Sequence, residues 1–295
     1  MHANIRALHL ILERTQGRLY QAALRILLGF NLVLTALSMA ACSEQSPRLE
    51  ANVQGGNLFY GLDASFTIGV SRLADGLSVR VQSCDGGQAP VSKSATEIVY
   101  QCKLKATGVT QFEIVDTSGQ TVFTKAFNVP APRVVIESSE GDIEVELNPD
   151  KAPVSVDNFL AYVQAGFYQD LIFHRVIPGF VVQGGGFESG LQQRAALFPP
   201  INLETNRGLS NSRASIAMAR TNDPNSATSQ FFVNLVDNVS LDFSSEISPG
   251  YAVFGQVVRG MEVIDTIASK PTGTVSGFSD VPVTDIVIKK LTRIQ

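Results

Sequence analysis

The stretch Phe173-His174-Arg175-Val176-Ile177-Pro178-Gly179-Phe180-Val181-Val182-Gln183-Gly184-Gly185-Gly186-Phe187 sets an imidazole and a guanidinium side by side in an otherwise apolar run. An Arg in a strand ordinarily sits on a solvated edge or forms half of an ion pair, yet Phe173, Val176, Ile177, Phe180, Val181 and Val182 mark this segment as mostly inside. His174 could act as a base, but a lone His on an apolar strand reads first as a packed core residue. The other two histidines, His2 and His9, stand in the leader described below, so a multi-His metal site is excluded. The three glycines lack the following helix and the Lys-Ser/Thr pair of a phosphate loop. Glycines after a strand instead permit a bend or a close backbone approach. No Gly-x-Ser-x-Gly elbow occurs, and the Asp and Glu clusters fall on hairpin and helix surfaces. No nucleophile, metal or cofactor signature emerges, and one fixed cation is left to be explained.

Composition bounds the rest. The chain has 295 residues, 44% of them hydrophobic and 17% charged, which are globular values for a length that suits two domains. A net charge of -4 argues against a nucleic-acid partner, which usually leaves a basic footprint. Arg14, Arg18 and Arg25 precede an uncharged run from Ile26 to Ala41, the order of a secretory signal, here assigned to residues 1–41. The run, punctuated by Asn31, Thr35 and Ser38, is short of the roughly 20 apolar residues of a membrane span. Met39-Ala40-Ala41-Cys42 resembles a bacterial lipobox, which implies cleavage before Cys42 and lipidation of its thiol. The alternatives are an ordinary signal peptide with an incidental Cys, or an uncleaved anchor. Residues 42–54 are polar and aperiodic and read as a lipidated tether. Cys84 and Cys102 remain, and in an exported chain such a pair is expected as a disulfide, against the alternative of two reduced thiols.

Between 55 and 130 the sequence breaks into short alternating runs separated by Gly, Asp and Ser, with a hairpin turn expected at Thr117-Ser118-Gly119. That spacing suggests a small β-sandwich, with an immunoglobulin-like topology left open. Pro130-Ala131-Pro132 stiffens the connection and marks a domain boundary. The second domain, 132–295, opens with a hairpin whose Ile143, Val145 and Leu147 face in. Val156, Phe159, Leu160 and Val163 recur at helical spacing, and Gly166 can end that helix. Residues 184–213 read as a long loop. Apolar strands follow at 214–219, 229–235 and 251–258, then a short helix marked by Met261, Ile264 and Ile267, then a closing strand. Many strands with two helices predict a mainly β fold built as an antiparallel barrel rather than a βαβ sheet.

The segments FHRVIPGFVVQGGGF, IAMARTNDPNSATSQFFVNL, LDF and GYAVFGQVVRGMEVID, in that order, resemble the cyclophilin family of peptidyl-prolyl isomerases over roughly residues 132 to 295. Tyr251 before Ala-Val-Phe-Gly points to the short bacterial branch. The resemblance implies a closed eight-stranded antiparallel barrel capped by two helices, with a peptide groove on its outer face. It implies that Arg175 is the catalytic cation, that Gln183 holds peptide backbone and helps orient it, and that Phe180, Val181, Phe232 and Leu241 line a proline pocket closed by Tyr251. Main-chain groups of Ala219 and Arg220 would pin the residue before proline, with Gln230 beneath. No cofactor is implied.

Such a site also explains the Arg. An X-Pro bond rotates slowly because amide resonance sets a barrier of about 18–20 kcal/mol. No bond breaks, so no nucleophile is required. A fixed donor aimed at the pyramidal nitrogen binds the twisted amide better than the planar one, and a permanently protonated guanidinium suits that task. Two departures count. Val181 stands where Met is common, and Ser240 stands where the family carries Trp or Phe, which weakens any inherited cyclosporin binding. The expected partners are proline-containing unfolded or exported polypeptides and, through the anchor, a membrane. The expected location is the bacterial periplasm, with Ser43 rather than Asp after Cys42 favouring the outer membrane. A binding module using the same groove without turnover, and a surface lipoprotein whose first domain carries the biology, are the competing readings.

Overall fold

The structure is a computed structural model that describes residues 51–69, 77–85, 90–94 and 97–295. The expected signal sequence, Cys42 and most of the expected tether lie outside the described residues. Among the described residues no helix is long and apolar enough to cross a membrane.

Two antiparallel sheets make up the first region. One joins β1 (Asn52–Gly56), β2 (Asp63–Gly69), β4 (Cys84–Asp85), β5 (Pro90–Lys93) and β6 (Glu97–Leu104); the other joins β3 (Ser78–Val81), β7 (Gly108–Val115) and β8 (Thr121–Val129). Alternation decides which side chains face in: Ala64, Phe66 and Ile68 of β2 and Ile98, Tyr100 and Leu104 of β6 are buried. Phe66 of one sheet meets Phe112 and Phe127 of the other at 5.2 and 5.4 Å, so the aromatic payload joins the sheets in one core. Residues 52–54, expected as tether, are strand instead, because Val53 pairs with Ile68 and is buried. The Asp116 carboxylate accepts from the Ser118 and Gln120 amides and so holds the predicted β7–β8 turn. Cys84 and Cys102 form the expected disulfide, with their Cα atoms 5.5 Å apart.

The second region is one ten-segment antiparallel sheet and two helices. Its strands are β9 (Arg133–Ser138), β10 (Asp142–Leu147), β11 (Leu171–Ile172), β12 (Arg175–Ile177), β13 (Val181–Gly184), β14 (Phe187–Glu188), β15 (Ser215–Met218), β16 (Phe231–Asn234), β17 (Val253–Arg259) and β20 (Val287–Arg293). They pair in the order β12-β13-β16-β15-β17-β10-β9-β20-β11-β14. Phe173-His174 separates β11 from β12, and Gly185-Gly186 separates β13 from β14. Helix α1 (Pro153–Gln164) starts on a proline and buries Val156, Phe159, Leu160 and Val163, the periodic set. Phe159 packs on Phe231 and Phe254 at 5.7 and 5.1 Å. Helix α2 (Met261–Ala268) buries Ile264 and Ile267. The expected loop 184–213 contains β14 and a 3-10 turn at Ser189–Leu191. A hairpin of β18 (Thr272–Val275) and β19 (Phe278–Pro282) was not foreseen, because its Gly, Ser and Thr content reads as loop.

Polar contacts tie the two regions together. The Tyr60 hydroxyl donates to Asp157 of α1 at 2.9 Å, Lys105 reaches the other oxygen of Asp157 at 3.1 Å, and Arg293 donates to the Tyr60 carbonyl. Tyr60 is wholly buried, and burial together with the Asp157 charge pushes its phenol well up from the ordinary range. Tyr60→Phe removes only the hydroxyl bond to a partly solvated carboxylate, so it is expected to destabilise the chain by about 1–2 kcal/mol in urea unfolding.

Candidate active site

Register brings the site together. Arg175 lies opposite Gln183, Gln183 opposite Phe232, Phe232 opposite Ala217, and Ala217 opposite Val253. Directly opposed residues share one face of a sheet, so these five form a row across five strands. Their chain neighbours Val176, Val182, Val233, Ile216 and Met218 point the other way, into the main core. Val181, Ala217, Phe232 and Val253 form a second, separate apolar cluster, packed against Phe180, Leu209, Ala219, Leu241 and Tyr251. An apolar cluster on the opposite face from the core, beside a half-exposed cation, can take a small apolar ring next to a donor.

The surrounding residues fix this platform. The Gln183 amide donates to Gln230 Oε1 at 3.0 Å. Gln230 fits there because Gly186 has no side chain: a Cβ would lie 2.5 Å from Gln230 Cγ. Gly185 adopts φ +85°, so the glycine run serves both purposes expected of it, a bend and a close approach. Arg175 Nε lies 4.0 Å from the Asp280 carboxylate on β19, with 40% of the Arg side chain exposed. Phe278 of the same strand packs on Phe187 at 5.4 Å, and Phe187 lies 4.5 Å from the His174 ring. The guanidinium is thus flanked by a carboxylate on one side and Gln183 on the other, while its own strand is anchored from below.

On the far side, Tyr251 is held by Arg220, whose guanidinium sits 4.5 Å over the ring and donates twice to the Gly250 carbonyl, at 3.0 and 2.8 Å. Tyr251 meets Phe232 edge-on at 5.6 Å. The Ala219 amide donates to the Gln230 carbonyl, so it is already engaged. The Arg220 amide donates to no group among the described residues. Leu241 ends a 3-10 turn (Val239–Leu241), and its carbonyl accepts from the Tyr251 amide and from the buried Asn211 side chain. Ser240 is exposed on that turn. All ten residues expected at the groove or beneath it therefore lie in one neighbourhood. Ala217, Val253, Leu209, Asn211 and Asp280 were missed. The first two were legible as alternation partners of Ala219 and Tyr251; the others depend on long-range contact.

His174 is buried, as expected of a packed residue. Burial, with the Arg175 charge adding, lowers its pKa to about 4, so the ring is neutral at ordinary pH. The unfolded chain binds that proton near pH 6.5 and the folded chain only near 4, so stability falls as pH drops through this window. Acidification from pH 7 to 4 is expected to cost about 2–3 kcal/mol through this group, and His174→Phe should flatten that part of the pH–stability curve.

Comparison with known proteins points to one family. The family model described as cyclophilin type peptidyl-prolyl cis-trans isomerase/CLD matches residues 133–293. The chain is 49% identical over 177 residues to peptidyl-prolyl cis-trans isomerase A of Dickeya dadantii, covering 60% of this chain and 92% of that one. It is 50% identical over 161 residues to peptidyl-prolyl cis-trans isomerase B of Escherichia coli, covering 54% and 98%. A crystal structure of a Cryptosporidium parvum cyclophilin type isomerase, obtained in the presence of the dipeptide Ala-Pro, superposes with a TM-score of 0.47 and 28% identity, covering 55% of this chain and 99% of that one. With the family model spanning the region that builds the row from Arg175 to Val253, the chain belongs to the cyclophilin-type peptidyl-prolyl cis-trans isomerases.

Proposed function

We propose that this isomerase accelerates X-Pro rotation in exported polypeptides, held at the periplasmic face of a membrane by lipid on Cys42. The observation that carries the catalytic part is the row in which Arg175 and Gln183 adjoin the outward apolar cluster of Phe232, Ala217 and Val253. The proline ring sits on that cluster under Tyr251 and is held still. The Arg220 peptide group binds the backbone before proline. Rotation then occurs on the side that remains free, and Arg175 donates to the nitrogen lone pair that appears only as the amide twists. Arg175 needs no proton transfer for this. Asp280 and Gln183 limit its rotamers, so the donor is already oriented when the amide reaches the twisted state.

The barrel inferred here closes because β12, first in the pairing order, and β11, next to last, are separated by two residues of chain. A Cβ on Gly184 of β13 would lie 3.3 Å from the Ile172 carbonyl of β11, which supports the same contact. Counting β11/β12 and β13/β14 as single interrupted strands gives eight strands. Residues 132–295 act as the isomerase domain, and the preceding β region stands between it and the lipid. Two measurements test this reading. Purified chain should speed the cis-to-trans relaxation of a short X-Pro peptide. In a bacterial host, Cys42→Ala should move the protein from the membrane fraction to the soluble fraction. Relaxation at the uncatalysed rate would sink the enzymatic part, and unchanged membrane association of Cys42→Ala would sink the anchor.

A further inference from the structure

A cleft of about 510 Å³ lies where the first region meets α1 and β20, away from the row of the active site. Its lining is basic and apolar together. Lys103, Lys105, Lys290 and Arg293 supply cations, Leu160 and Leu291 are among its apolar residues, and Asp157 is its one carboxylate. Asp157 is already spent on Lys105 and Tyr60. Arg293 gives Nε and Nη2 to the main-chain oxygens of Gln295 and Tyr60, and it shares the charge of Asp157 with Lys105. The side chains of Lys103 and Lys290 form no ion pair or hydrogen bond among the described residues. Asp63 and Asp85 stand across the ladder from Lys103, yet neither closes an ion pair with it. This concentration of cations is local, since the whole chain carries a net charge of -4.

We propose that this cleft binds an acidic peptide segment with interspersed apolar side chains. Charge complementarity selects the acid. The volume and the exposed Leu62 of the lining select a peptide over a compact anion, which would leave that side chain uncovered. The cleft is built from both regions, because Lys103 lies on β6 and Lys105 directly follows it, while Lys290 and Arg293 come from β20. A peptide seated there touches both at once. The first region therefore supplies half of a second binding site, independent of proline recognition.

The test uses the full-length chain and a proline-free fluorescent peptide, Glu-Leu-Glu-Glu-Leu-Glu, followed by anisotropy. The expected result is saturable binding that weakens as salt is raised. Lys290→Gln should weaken it about threefold and Lys103→Gln/Lys290→Gln about tenfold, since each exposed charge contributes up to about 1 kcal/mol. Both lysines are surface residues, so the urea midpoint should stay unchanged and report a folded variant. Arg175→Ala should bind the peptide as the parent does. Absence of saturable binding, equal affinity in the double variant, or loss of binding in Arg175→Ala would overturn the proposal. Displacement by inorganic phosphate at equal concentration, or equal binding of the double variant to anionic vesicles and peptide, would also overturn it in favour of unspecific anion attraction.

Discussion

Arg175→Ala is expected to lower kcat/KM on a short X-Pro peptide by about two orders of magnitude, the scale of removing one oriented donor from a developing charge. The residue is half-exposed at the end of a sheet row and bears little of the core, so the variant should keep its unfolding midpoint. Arg175→Lys should recover only part of the loss. An ammonium keeps the charge but lacks the planar fork that Asp280 and Gln183 flank. Activity of the parent should be flat between about pH 6 and 9, because the proposed step transfers no proton and His174, with its pKa lowered to about 4, stays neutral. A steep profile across that range would point to a titrating group the row does not contain.

Phe232→Ala carries the second large effect. Phe232 is 4% exposed, lies in the middle of the row and touches Tyr251. Its removal opens the floor of the apolar cluster and should cost about 3 kcal/mol of stability, at the lower end for a buried Phe because the cluster faces outward. Proline peptides should then bind more weakly, with kcat/KM down by more than about tenfold although Arg175 is intact. Phe232→Leu keeps most of the volume and should recover most of the stability but less of the activity. A variant with lost stability and unchanged kinetics would move the proline ring to another place on the sheet.

The helices and most strands could be read from spacing, because burial in this fold follows local period. Val156, Phe159, Leu160 and Val163 are the buried stripe of α1, and Ile143, Val145 and Leu147 are the buried face of β10. The site row is a register property. Alternation along one strand puts Val181 with Gln183 and Ala217 with Ala219, but it does not say which strand lies beside which. Resemblance supplied that order for ten residues. It did not supply Asp280, which reaches Arg175 from a hairpin whose polar composition reads as loop, nor Tyr60–Asp157, joined across 97 residues of chain. The start of the first region was misplaced by three residues for the same reason: Val53 is one apolar residue in a polar stretch until Ile68 pairs with it.

The most direct measurement is the exchange rate between cis and trans forms of an X-Pro peptide while bound, read by NMR at saturating chain for the parent and for Arg175→Ala. If the guanidinium acts on the twisted amide, the variant should bind the peptide within a few-fold of the parent while bound-state exchange falls about a hundredfold. Bound exchange that persists at the parental rate, with only affinity reduced, would show that Arg175 holds the substrate without stabilising its rotation.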